Sequence, residues 1–149
     1  MKHFFTVFLL VLSLGAGAQK AKYNVQKGAV AGGYDVVAYF SGKAVKGVAK
    51  YKTQHNGVVY LFSSQKNLAS FVENPTKYEP QYGGWCAYAM ATTGTKVTVN
   101  PKTFEIRDGK LYLFYNAYFN NTLDSWKKEN PDELVKRADT TWAVLKHGN

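Results

Sequence analysis

Cys86 is the single cysteine of the chain, and Met90 follows it four residues later. The two face the same way whether their segment is helical or extended, because i and i+4 share a helix face and an even separation shares a strand face. Thiolate and thioether are soft donors; an imidazole beside them completes a set suited to Cu(I). His55 is the candidate third member, so Cys86, Met90 and His55 form the candidate metal site. Of the remaining histidines, His147 lies close to the chain end and His3 in the first residues. This inventory cannot build a four-ligand zinc site without carboxylates. Asp35, Tyr82, Trp85 and Tyr88 are the candidates for lining such a site.

The same sulfur admits two other readings. If residues 85–91 are helical, Gly83-Gly84 places Cys86 in the first turn, where the helix dipole and free N–H groups favour a thiolate. That makes a single-thiol redox or sensor protein. A dithiol cycle is excluded for want of a second cysteine, so an external thiol must resolve any oxidised form. In the third reading Cys86 is a small buried hydrophobe, Met90 fills a core gap, and His55 sits exposed beside a turn. The domain is then structural or serves protein interaction.

Catalysis finds little support. No Gly-x-Ser-x-Gly elbow occurs, and Ser63 and Ser64 read as helix caps. Gly32-Gly33 lacks the following lysine and helix of a phosphate-binding loop. The expected role is a non-catalytic binding module.

Two hairpins frame these residues. Asn56-Gly57 is a two-residue turn between strands over 50–62, pairing His55 with Val58, Thr53 with Tyr60 and Tyr51 with Phe62. Asp108-Gly109 joins residues 103–107 to 110–115, with Phe104 and Ile106 opposite Leu113 and Leu111. Between the hairpins, Leu68, Phe71 and Val72 give one apolar helix face that ends at Asn74-Pro75. Residues 34–40 read as a strand and Tyr82-Gly83-Gly84 as a flexible lead. Near the end, Leu123 and Trp126 mark one short helix. Asn130-Pro131 starts another, whose stripe is Leu134, Val135, Ala138, Trp142 and Leu145. Strands first and helices last make an α+β domain with two β-hairpins, a short helix after the first, and C-terminal helices.

The first residues read as an export signal. Met1-Lys2-His3 is basic, Phe4 to Leu14 is an apolar run of roughly eleven residues, and Ala16 and Ala18 are small residues of a cleavage site. The expected organisation is a signal peptide over 1–18, a flexible lead-in over 19–31 and one domain over 32–147. The run is too short to span a bilayer, so no membrane span is expected once it is removed. The destination is the periplasm or the extracellular space. Net charge is +9, but the lysines are spread along the chain, which reads as a solvated basic surface and not a nucleic-acid site.

Tyr60-Leu61-Phe62-Ser63-Ser64, then Phe71 and Asn74-Pro75-Thr76-Lys77-Tyr78, resembles the YHS domain. Gly33 to Phe40, Gln81 to Tyr88, Leu111-Tyr112-Leu113 and Ala138-Asp139 with Trp142 are similar to an exported bacterial subgroup, and the resemblance spans about residues 32–145. It implies a small YHS-like fold and a link to metal handling, with a metal ion or a metal-handling protein as partner. It does not supply a metal site residue by residue. Where metal-binding relatives carry cysteines, this chain has Ala38, Ser63 and Asn67.

Overall fold

The computed structural model describes residues 22–147. The expected signal peptide and its cleavage point lie outside them. The α+β architecture is present as four antiparallel two-stranded hairpins and a set of short helices. The strands are β1 (Val25–Gln26), β2 (Ala29–Val30), β3 (Val48–His55), β4 (Val58–Phe62), β5 (Asn100–Arg107), β6 (Lys110–Phe114), β7 (Asn116–Ala117) and β8 (Asn120–Asn121). The α-helices are α1 (Gln65–Glu73), α2 (Pro75–Tyr78), α3 (Ala87–Thr92), α4 (Thr122–Lys128) and α5 (Pro131–Leu145). Among the described residues, no helix is long and apolar enough to cross a membrane.

Local chemistry sets most boundaries. Asn56 (φ 51°) with Gly57 (φ 78°), and Asp108 (φ 50°) with Gly109 (φ 71°), supply the left-handed pairs that twist-matched hairpin turns require. His55 faces Val58 and Thr53 faces Tyr60; Phe104 faces Leu113 and Ile106 faces Leu111. Ser64, Asn74, Asn121 and Asn130 cap α1, α2, α4 and α5, each side chain accepting from a backbone N–H of the first turn.

Strand β6 separates two apolar clusters. Leu111 and Leu113 enter one with Val36, Tyr60, Phe62 and Phe71, while Tyr112 and Phe114 enter the other with Met90, Trp126, Leu134 and Ala138. The period-two alternation of a strand makes this possible, and it leaves β6 buried on both faces after Lys110. Burying Phe71 alone contributes about 1.5–3 kcal/mol.

Several expectations are corrected. Residues 34–40 form no strand: Asp35 caps a turn there, and a 3-10 helix runs over Ala38–Ser41. Tyr51 does not pair with Phe62, because the β3–β4 register shifts between Val48 and Lys52 and Phe62 faces Val48 instead. Val72 is exposed, which narrows the buried face of α1 to Phe71 with Leu68 beside it. The lead-in expected to be flexible through residue 31 is packed from Tyr23 onward, since Tyr23, Asn24, Val30 and Ala31 are all buried.

Candidate functional site

Tyr82-Gly83-Gly84, read from sequence as a loose lead, is clamped. Gly83 O accepts from Asn24 N at 2.8 Å, and the Asn24 side chain donates to Gly84 O at 3.0 Å. Trp85 Nε1 donates to Lys22 O at 3.2 Å. Gly83 has φ 61°, and a Cβ there would lie 2.2 Å from Lys22 O, so only glycine fits. Cys86 follows immediately, its N–H held by Val97 O at 2.9 Å. It occupies the N-cap position of α3 with extended backbone (φ −57°, ψ 118°).

The Cys86 sulfur is fully buried and fully partnered. Tyr115 N–H donates to Sγ at 3.3 Å, and Sγ lies 3.4 Å from Thr122 Oγ1. The Thr122 hydroxyl proton is already given to Tyr115 O at 2.8 Å, so the thiol is the donor to Thr122 Oγ1. Cys86 is also among the residues that line a recess of about 300 Å³, together with Tyr88, Val97, Tyr115 and Thr122, its sulfur lying behind the accessible surface.

The three candidate ligands do not converge. Met90 is fully buried in the cluster around Trp126, whereas Cys86 belongs to the opposite cluster. His55 lies elsewhere: Nε2 is 3.2 Å from Glu79 Oε1, and the ring stands edge-on to Phe71 at 5.8 Å. Tyr23 OH also donates to Glu79, at 3.5 Å. The neighbouring Tyr60 hydroxyl is buried near Glu79, and burial followed by the Glu79 carboxylate pushes its pKa up. Among the described residues, no group of three or more His, Cys, Asp and Glu could hold a metal ion.

The other lining candidates serve the scaffold. Tyr82 OH donates to Asp139 at 2.9 Å; burial, with Asp139 next, raises its pKa. Tyr88 OH donates to Glu129 at 2.6 Å, and that bond is the first cause of its raised pKa. Of the proposed lining set, Trp85 adjoins Cys86 in the chain, and Tyr88 shares the recess.

Asp35 is the most heavily bonded side chain described. Oδ1 accepts from Val37 N (2.9 Å) and Ala38 N (3.1 Å). Oδ2 accepts from Ser63 N (2.8 Å), Ser63 Oγ (2.6 Å) and Asn67 Nδ2 (2.8 Å). It is fully buried and ties the 34–38 turn to the end of β4 and the start of α1.

Residues 36–82 match the YHS domain family model. Residues 36–82 carry a YHS domain. Nothing among curated proteins or solved structures matches the chain. The matched segment holds Ala38, Ser63, Asn67 and His55, while Cys86 and Met90 lie beyond it. Within this YHS domain, the three positions where metal-binding relatives carry cysteines turn N–H and O–H donors toward one carboxylate. A cation needs lone pairs there, and the donors present offer protons, so these residues do not fit a metal. Sequence reasoning assigned Asp35 only a lining role; its signal as a hub was an acidic residue just before a turn, which is common to many loops.

Proposed function

We propose that this protein is an exported, non-catalytic YHS-domain module that works through the Cys86 thiol as a single-cysteine sensor of small oxidants. One observation carries the reading: Cys86 is among the residues that line a recess, and the Tyr115 N–H is aimed at its Sγ from 3.3 Å. That donor offers a partner to negative charge developing on sulfur. A peroxide entering the recess transfers one oxygen: the O–O bond breaks, an S–O bond forms, and the thiol proton leaves with the alcohol or water released. A second thiol, from outside the chain, then displaces water and forms a mixed disulfide.

Burial of the sulfur makes a size-selective test available. Methyl methanethiosulfonate or hydrogen peroxide should modify Cys86 in the native protein, while a bulky maleimide should label it only after denaturation, both read by intact mass. Failure of both small reagents until the protein is unfolded sinks the proposal.

The copper reading requires Cys86, Met90 and His55 to meet, which their separate surroundings oppose. Native mass spectrometry with one equivalent of Cu(I) is its test, and a Cys86-dependent adduct would favour it over the sensor. The interaction reading draws on a different observation, the fully exposed Tyr118 and Phe119 at the β7–β8 turn.

A further inference from the structure

The geometry points to a second binding site, for a small hydroxycarboxylate, between the N-terminal hairpin and the β3–β4 hairpin. A cavity of about 390 Å³ lies there, and it shares no residue with the Cys86 recess. Its lining contains two cations, Lys27 and Lys46, and no acidic side chain. Neither lysine makes a salt bridge among the described residues. Two ammonium groups at one mouth with no counter-charge favour an anion, by attraction that the low-dielectric wall strengthens.

Gln26 refines the ligand class. It lines the cavity, and its Oε1 is buried with no hydrogen-bond partner. A buried acceptor left unpaired is destabilising. A ligand that brings a hydroxyl as well as a carboxylate supplies the missing donor once the Gln26 amide turns into the cavity. Leu61 and Pro101 give apolar wall for a short carbon skeleton. The volume exceeds what a bare inorganic oxyanion fills.

Bare backbone makes the space. Gly32 and Gly33 are left-handed (φ 61° and 82°), and a Cβ on either would press on Pro101 at 3.1 Å or Leu61 at 3.2 Å. At Gly47 a Cβ would lie 2.4 Å from the Leu61 carbonyl carbon. The cavity joins the segment before the matched YHS region to residues within and after it, so it belongs to this chain's extensions as much as to the family core.

The test is a titration of the ¹⁵N-labelled protein with L-lactate at ionic strength fixed by sodium chloride, followed by amide shifts of Gly33 and Gly47. Saturable displacement of both is expected. Propionate, which lacks the hydroxyl, should bind about tenfold more weakly. Gln26→Leu should erase that preference without weakening propionate. The double variant Lys27→Ala/Lys46→Ala should lose about tenfold or more in lactate affinity. Both lysines are exposed, and the same spectra report whether the fold is kept. Glycine signals that do not move with lactate, or that move equally with sodium chloride alone, overturn the proposal. Hydrogen phosphate binding as tightly as lactate overturns the carboxylate assignment.

Discussion

Ser63 gives Asp35 two hydrogen bonds at one oxygen: its backbone N–H meets Oδ2 at 2.8 Å and its hydroxyl meets the same atom at 2.6 Å. With Asn67 Nδ2 also on Oδ2, and Val37 and Ala38 N–H groups on Oδ1, the carboxylate acts purely as an acceptor. Asp35→Asn puts an NH₂ among donors that cannot accept from it. The expected cost is about 2–4 kcal/mol by urea denaturation, because charge-assisted bonds are lost and buried donors are orphaned. Since proton donors and not lone pairs fill this centre, dialysis against a chelator should leave the melting temperature unchanged. An Asn variant as stable as the parent, or a chelator-sensitive melt, would show that the hub does not hold the fold.

Cys86 separates hydrogen bonding from packing. Cys86→Ala leaves the half-buried Tyr115 N–H without its sulfur acceptor and should cost about 1–3 kcal/mol. Cys86→Ser keeps an acceptor for Tyr115 and a donor for Thr122, so it should be the more stable of the two by denaturant midpoint. The reverse order would mean that the sulfur is held by its apolar neighbours.

These two residues also mark what could be read ahead of the structure. The turns at Asn56-Gly57 and Asp108-Gly109 and the start at Asn130-Pro131 were legible, because each rests on a local backbone demand that few residue types meet. The shared face of Cys86 and Met90 was not. Periodicity assumes that both residues lie inside one element, and Cys86 is a cap with extended backbone, so its side chain leaves in another direction. The strand expected over 34–40 failed for a related reason. Its β-branched composition was overruled by Asp35, whose partners Ser63 and Asn67 lie far along the chain. The break between Val48 and Lys52 carries no sequence signature. It accompanies the close approach of Gly47 to Leu61, which is a tertiary contact.

Buried tyrosines should make the protein sensitive to base. Burial, with Asp139 next, pushes Tyr112 up to about 12, and burial raises Tyr39, Tyr60 and Tyr82 further. An unfolded tyrosine titrates near 10. Above that pH the unfolded chain releases protons that the native chain retains, so stability is fully present below pH 10 and falls as pH climbs toward 12. Tyrosinate absorbance at 295 nm should therefore rise together with the loss of far-ultraviolet ellipticity, in one cooperative step. A smooth titration of all tyrosines near pH 10 with the fold intact would contradict the burial described here.

Tyr118 and Phe119 break a local rule without any visible compensation. Both have left-handed backbone, φ 50° and 61°, in a two-residue hairpin turn where Asn-Gly is the favoured pair, and both side chains stand in solvent. Left-handed backbone at a non-glycine residue costs about 1–3 kcal/mol. Nothing within the described chain covers the two rings to offset it. Replacing the pair with Asn-Gly should raise stability by about 1–3 kcal/mol in urea, since strain is removed and no buried contact is lost. If the aromatic pair serves a partner, the same variant should be more stable and yet bind less well. A variant that is less stable than the parent would mean that the rings make contacts within the protein, and the turn would no longer stand as the free end of this domain.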